Sequence, residues 1–261
     1  MGIILNNVII AFSLTLIAGL STSIGGFISL FSKPKNSKFL SISLGFSAGV
    51  MVYVSMVEIL SKSTMLFSET YGEKSGFLFA TISFFAGMIL ICTIDSFIPN
   101  KPLQEKESKT VGRLLRTGIV TALAISIHNF PEGLATFVSA LREPELALPI
   151  VAAIAIHNVP EGIAVAVPVY TATGSKKRAF ITSLLSGLTE PLGAFVGYLL
   201  LMPFMSDLLY AILFGGIAGI MVFISLDELF PASMECGDTK LSVFGVIGGM
   251  AVMAVSLWMF K

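Results

Sequence analysis

The chain has 261 residues, of which 55% are hydrophobic and only 12% are charged, and its formal net charge is zero. Because ordinary soluble domains carry about 25% charged residues, this composition excludes a soluble protein, and we expect no nucleic-acid partner. Apolar runs of about 20 residues, the length that crosses a bilayer, recur along the whole chain.

We therefore predict an all-α polytopic membrane protein that forms one transmembrane domain over residues 1–261. The apolar runs predict eight spans, at roughly 5–31, 40–60, 77–98, 118–140, 147–170, 179–202, 208–230 and 241–260. None of these spans contains a Lys or Arg. The longest polar connection, residues 99–117, is predicted to be a flexible loop.

The distribution of Lys and Arg predicts the orientation of the spans. Twelve of the sixteen basic residues lie in the connections after spans 1, 3, 5 and 7, and four lie on the other side. By the positive-inside rule, the 99–117 loop is then cytoplasmic and both termini are outside. We expect a multi-pass protein of the plasma (inner) membrane.

Two near-copies of one motif lie in the centre of the chain. HNFPEG begins at His128 in span 4, and HNVPEG begins at His157 in span 5. Residues 124–138 and 153–167, which contain these motifs, are identical at ten of fifteen positions. So close a match predicts an internal repeat.

A second repeat relates the outer spans. Residues 45–60 of span 2 match 215–230 of span 7 at seven of sixteen positions, and Leu20 and Gly25 of span 1 match Leu188 and Gly193 of span 6. Because the paired spans run in opposite directions, the repeats are inverted, with spans 1–3 against 6–8 and span 4 against 5. Inverted repeats are typical of secondary transporters, whose sites lie near the midplane.

The repeats also bring together seven polar side chains. The candidate metal ligands are His128, Asn129 and Glu132 of span 4, His157, Asn158 and Glu161 of span 5, and Glu190 of span 6. In each motif the His and the Glu are four residues apart, so they share one helix face. Pro131 and Pro160 are expected to kink their helices between these groups.

The carboxylates of this set need a counter-charge. A charge at the bilayer centre costs at least about 3 kcal/mol, and the predicted spans offer no basic residue, so a proton or a bound cation must supply it. Imidazole with carboxylate and no thiolate suits a first-row divalent ion of the Zn²⁺ type. The alternative is a hydrogen-bonded contact between helices, with protonated carboxyl groups.

Three further carboxylates lie near the ends of spans, namely Glu58, Asp227 and Glu228. They either concentrate cations at the two mouths or are interfacial groups in water. The sequence leaves both interpretations open.

At these residues the chain is similar to members of the ZIP family of metal transporters. The resemblance is carried by the two HNxPEG motifs and by LTEPLG around Glu190, and it covers nearly the whole chain. It implies a two-metal centre with one position formed by His128, Glu132, His157 and Glu161. It implies a second position formed by Asn129, Asn158, Glu161 and Glu190, with Glu161 bridging; some relatives have Asp where this chain has Asn158. It further implies a homodimer, and movement of spans 1, 4, 5 and 6 against spans 2, 3, 7 and 8.

The sequence therefore predicts a carrier that imports divalent metal into the cytoplasm, with Zn²⁺ or with Fe²⁺, Mn²⁺, Co²⁺ or Cd²⁺ as cargo and no cofactor. An intramembrane metalloenzyme with the same centre is the first alternative. It is disfavoured because neither HExxH nor the Glu-x-x-His pairs of di-iron proteins occur. A metal-binding receptor that never moves its ion is the second alternative.

Overall fold

The computed structural model describes residues 2–31, 37–96, 106–142, 144–201, 206–235 and 238–259. Every secondary-structure element among them is helical. The elements are α1 (Gly2–Ser29), α2 (Ser37–Val54), α3 (Leu60–Tyr71), α4 (Glu73–Ser96), α5 (Lys106–Arg142), α6 (Pro144–Thr173), α7 (Lys176–Val196), α8 (Asp207–Ile224), α9 (Phe230–Glu235) and α10 (Thr239–Met259). Three π-helical turns, Ser55–Ile59, Gly197–Leu201 and Ser225–Leu229, continue α2 into α3, extend α7 and continue α8 into α9.

These elements form eight long helical rods within the described residues, in agreement with the eight predicted spans. Seven of the rods are long and apolar enough to cross a bilayer. The remaining one is α6, whose 30 residues exceed the 20 or so that a span needs. Large apolar side chains on the outer surface, such as Phe77, Ile89, Phe244 and Trp258, are exposed. Such an apolar exterior fits a lipid environment and confirms the prediction of an all-α polytopic membrane protein.

The N-terminal boundary of α5 differs from the sequence prediction. The sequence predicts a flexible loop over 99–117, but α5 begins at Lys106. Residues 99–105 lie outside the described residues. The apolar run ends near residue 118, whereas the helix continues because Lys, Glu and Arg are good helix formers. Arg116, which lies outside the predicted span 118–140, is part of the longer segment Val111–Leu134 of α5, which is long and apolar enough to cross a bilayer.

Helix contacts divide the bundle into two groups. The first group is α1, α5, α6 and α7, which all contact one another. In the second group α10 packs on α2, and α8 packs on both α3 and α4. The groups meet where α2 contacts α6 and where α5 contacts α8.

Close backbone contacts repeat across the first group. A Cβ atom built on Gly133 of α5 would lie 1.8 Å from the carbonyl oxygen of Glu190 in α7. Gly162 is the equivalent glycine of α6. A Cβ atom built on it would also lie 1.8 Å from a carbonyl oxygen, that of Thr22 in α1. Thr22 and Glu190 are related by the same offset that relates Gly25 to Gly193.

The second group shows the outer repeat in the same way. A Cβ atom on Gly49 of α2 would lie 2.1 Å from the carbonyl oxygen of Val246 in α10. Gly219 is the equivalent glycine of α8. A Cβ atom built on it would lie 1.9 Å from the carbonyl oxygen of Phe84 in α4. The π-helical turns after α2 and α8 also fall at equivalent positions. These matched contacts confirm the repeats.

We predict that Gly133→Ala will destabilise the protein by about 1–3 kcal/mol, the usual effect of overpacking, because backbone occupies the space of the new methyl group. Thermal unfolding of the purified protein in detergent measures this. Gly248→Ala is the matched control, since its Cβ atom would find its nearest neighbour, a Phe46 ring carbon, at 4.0 Å. Equal unfolding temperatures for the two variants would contradict the contact.

Candidate metal centre

Six of the seven predicted ligands lie together where α5, α6 and α7 meet. Five of them are buried, with exposures of 3% or less, namely His128, Asn129, Asn158, Glu161 and Glu190. Glu132 retains 15% exposure of its side chain. His157 lies on α6 as predicted, but its side chain is outside the described residues. The helical pattern continues through Pro131 and Pro160, so neither proline ends its helix.

His128 links the two motif helices. Its Nε2 atom lies 3.2 Å from Oε2 of Glu132, one turn further along α5. The same atom lies 3.7 Å from Oε1 of Glu161 on α6. One imidazole nitrogen thus faces a carboxylate from each half of the central repeat.

Asn158 links α6 to both α7 and α1. Its amide nitrogen donates a hydrogen bond of 2.9 Å to Oε2 of Glu190 and one of 3.0 Å to the carbonyl oxygen of Ala18. With both amide hydrogens directed at these oxygens, the side-chain carbonyl is left to face elsewhere.

Asn129 repeats part of this arrangement on α5. Its amide nitrogen donates to the carbonyl oxygen of Ser186 in α7, at 3.4 Å. Ser186 is the equivalent of Ala18 in the outer repeat. Both asparagines are therefore anchored through nitrogen to a neighbouring backbone, which fixes the orientation of their oxygens.

Three buried oxygens of the centre have no hydrogen-bond partner within the described part of the chain. They are Oδ1 of Asn129, Oδ1 of Asn158 and Oε1 of Glu190. The carboxylates of Glu132 and Glu161 also interact electrostatically with that of Glu190. A cation would stabilise such surroundings, in which buried acceptors without donors lie beside a Glu190 carboxylate that interacts with two others.

The chemistry of this set matches a borderline divalent ion. Imidazole nitrogen, carboxylate oxygen and amide oxygen are all available, and the described side chains around the centre include no thiol. Zn²⁺ and its first-row neighbours accept such mixed nitrogen and oxygen ligands, whereas Mg²⁺ and Ca²⁺ favour oxygen alone.

Thr22 is a residue of this region that the sequence prediction missed. It occupies the position in α1 that corresponds to Glu190 in α7. Its side chain is fully buried, and its hydroxyl has no hydrogen-bond partner among the described residues. Of the two helices that the outer repeat relates here, α7 therefore carries a carboxylate at this position and α1 does not. An alignment of spans 1 and 6 could have revealed this difference.

A second cluster of charged groups surrounds Arg116. Its guanidinium forms ion pairs with Asp95 of α4 and with Glu228, in the π-helical turn after α8. Thr117 donates a hydrogen bond of 2.7 Å to the other oxygen of Glu228. Oxygens of Asp95, Asp227 and Glu228 lie within 4.8 Å of one another, and Arg116 is the counter-charge of two of them, Asp95 and Glu228.

The cluster bears on the three carboxylates whose interpretation the sequence left open. Glu228 is buried and ion-paired, so it is neither a free cation attractor nor an interfacial group in water. Asp227 is exposed. Glu58, the equivalent of Glu228 in the first half, pairs at 2.8 Å with Lys62 of its own rod and retains 27% exposure.

Comparison with known proteins gives a family. The family profile described as "ZIP Zinc transporter" matches residues 95–257. A protein named zinc transporter ZupT from Streptococcus mutans is 55% identical, over 96% of this chain and 97% of that protein. Proteins of the same name from Lysinibacillus sphaericus and Clostridium perfringens are each 52% identical, the first over 96% of this chain and 97% of its own, the second over 98% of both.

We predict that Arg116→Ala will lower stability by about 3 kcal/mol, because it leaves Glu228 buried without its counter-charge. Thermal unfolding measures the loss. Glu228→Gln on the same background should recover part of it, because the unpaired charge is then removed.

Lys62→Ala is the matched control for this cluster. It breaks the exposed pair with Glu58 and should cost no more than about 1 kcal/mol. If Arg116→Ala were as harmless as Lys62→Ala, or if its effect added fully to that of Glu228→Gln, the ion pair would not stabilise the fold.

Proposed function

The chain belongs to the ZIP family of zinc transporters, and we propose that it imports Zn²⁺, together with other first-row divalent ions such as Fe²⁺, Mn²⁺ and Co²⁺, through the centre between α5, α6 and α7. The observation that carries this proposal is the group of buried, mutually interacting carboxylates with His128 between two of them. Family membership makes the chain a transporter and not an enzyme, so the intramembrane metalloenzyme is set aside.

The centre needs its positive charge from a proton or a bound ion, because Arg116 is too far away to supply it. Arg116 and His128 are twelve residues apart on α5, which corresponds to about 18 Å along a helix. At that separation Arg116 cannot form an ion pair with the centre, and its guanidinium is already paired with Asp95 and Glu228. A divalent ion at the centre meets the same need without a permanent charge in the bilayer.

Two metal positions are proposed, with Glu161 shared between them. The first uses His128, Glu132, His157 and Glu161. The distances from His128 Nε2 to the two glutamates, 3.2 Å and 3.7 Å, support this grouping, because a metal ion drawing ligands to about 2 Å needs atoms already near one another.

The second position uses Asn129, Asn158, Glu161 and Glu190. It is supported by the contact between Asn158 and Glu190, by the open side-chain oxygens of both asparagines, and by the electrostatic interaction of Glu190 with Glu161. This position has no imidazole, so we propose that it holds Zn²⁺ more weakly than the first.

We propose import into the cytoplasm by a carrier whose termini are outside and whose Arg116 cluster lies at the cytoplasmic end. The twelve-to-four distribution of basic residues supports it. The division of the bundle into α1, α5, α6 and α7 and a second group supports movement of one group against the other during transport. The homodimer implied by the family remains part of the proposal.

We predict that Glu161→Gln will abolish Zn²⁺ uptake into proteoliposomes, because it removes the charge that both metal positions share while keeping the size of the side chain. Glu69→Gln, on the exposed face of α3, is the matched control and should transport normally. Near-normal uptake by correctly inserted Glu161→Gln would remove the basis of the proposed centre.

The two positions should also differ in affinity, which titration of the purified protein with Zn²⁺ can measure. His128→Ala should weaken the tight site by at least about tenfold, since even outer partners of a metal ligand contribute that much. Asn158→Ala should spare the tight site, and Asn158→Asp should raise occupancy of the weaker one. Two equivalent wild-type sites, or a larger effect of Asn158→Ala on the tight site, would show that this assignment is wrong.

A further inference from the structure

A stripe of buried polar side chains runs along α5 on both sides of the metal centre. Its members are Thr117, Thr121, His128, Glu132 and Thr136, and we call it the α5 stripe. At 100° per residue their spacing keeps all five within an arc of about 100°. The three threonines are buried, with exposures of 2% or less.

The α5 stripe is as long as a membrane is thick. Thr117 and Thr136 are nineteen residues apart, which corresponds to about 28 Å of helix, against about 30 Å for a hydrocarbon core. At one end, Thr117 donates its hydroxyl to Glu228. The stripe therefore connects the Arg116 cluster, through the metal centre, to the opposite end of the bundle.

Two hydroxyls of the stripe are unusual for a membrane helix. A threonine in a helix normally donates to the carbonyl four residues earlier, and buried Thr15 of α1 does so, at 3.0 Å from the oxygen of Ala11. Within the described residues, the hydroxyls of Thr121 and Thr136 have no such partner. They need a hydrogen-bonding or coordinating group that the described residues do not offer them.

The central repeat shows that packing does not require these hydroxyls. The positions of α6 that correspond to Thr117, Thr121 and Thr136 hold Leu146, Ile150 and Val165. Val165, which has nearly the shape of threonine, is fully buried there. The motif His and Glu occur on both helices, whereas the hydroxyls above and below them occur on α5 alone.

We propose that Thr121 and Thr136 line the path of the cargo ion, which passes along α5 and not along α6. This inference rests on the proposed function and deepens it. The hydroxyl oxygens hold the waters of a partly hydrated divalent cation on either side of the centre. Because they are neutral, they guide the ion without binding it tightly. The ion passes Thr136, reaches His128 and Glu132, and then passes Thr121 toward Glu228.

Removing one hydroxyl at a time tests the path. Thr121→Val and Thr136→Val keep the shape of the side chain, and each should slow Zn²⁺ uptake at least about tenfold while changing the affinity of the centre by less than about twofold. The serine variants at both positions should restore uptake. Thr15→Val, which removes a buried hydroxyl already bonded within its own helix, is the matched control and should transport at the wild-type rate.

Cysteine labelling gives a second reading that does not depend on transport rates. On a background in which Cys92 and Cys236 are alanine, a cysteine at position 121 or 136 should react with a cationic, water-soluble methanethiosulfonate, and Zn²⁺ should slow the reaction. Val165→Cys, at the α6 position equivalent to Thr136, should stay unmodified. Equal labelling at 136 and 165, or no labelling at 121 and 136, would overturn the proposed path.

The two proposals fail in different ways. If wild-type vesicles took up no Zn²⁺, the proposed function would be contradicted and the path with it. If the wild type transported while both valine variants kept the rate of Thr15→Val, only the assignment of the α5 stripe would be wrong.

Discussion

Three carboxylates gathered inside a membrane bundle, with no described lysine or arginine side chain paired to them, are the constraint on which the rest of the structure depends. Glu161 and Glu190 are buried, and Glu132 is largely buried beside them. Charges at that depth are tolerated only with a proton or a cation close by. The Arg116 cluster shows the alternative solution in the same protein, since there a guanidinium supplies the charge permanently and joins α5 to α4 and α8. A carrier cannot use that solution at its binding site, because its counter-ion must be able to leave.

Glycine makes the centre geometrically possible. Gly133 and Gly162, the last residues of the two motifs, bring α5 onto α7 and α6 onto α1 at backbone contact. This approach places Glu190 near the glutamates of the motifs and lets the two asparagines reach backbone carbonyls of the neighbouring helices. The same residues therefore serve packing and chemistry. Their repetition at equivalent positions explains why one short sequence can build both halves of the site.

The sequence predicted the eight long helices, and it picked out six side chains that the structure brings together at the candidate centre, because both leave local signals. Apolar runs mark the helices, and a His and a Glu four residues apart share a face wherever the helix packs. It could not predict the role of Arg116, which lies just before an apolar run and looks like part of a loop until Asp95 and Glu228 are brought to it by tertiary contacts. Thr22 was missed for a similar reason. A single threonine in an apolar helix does not indicate a site until its equivalence to Glu190 is known. The start of α5 was misplaced because charged residues end a hydrophobic run without ending a helix.

The central claim is that histidine nitrogen and carboxylate or amide oxygen hold the metal ion, and X-ray absorption at the zinc edge tests it most directly. Protein loaded with one equivalent of Zn²⁺ should show only nitrogen and oxygen ligands, at about 2.0–2.2 Å, with the outer-shell scattering of imidazole. His128→Ala should reduce the imidazole contribution. A sulfur shell at about 2.3 Å, which Cys92 or Cys236 would give, or a spectrum unchanged by His128→Ala, would contradict the account.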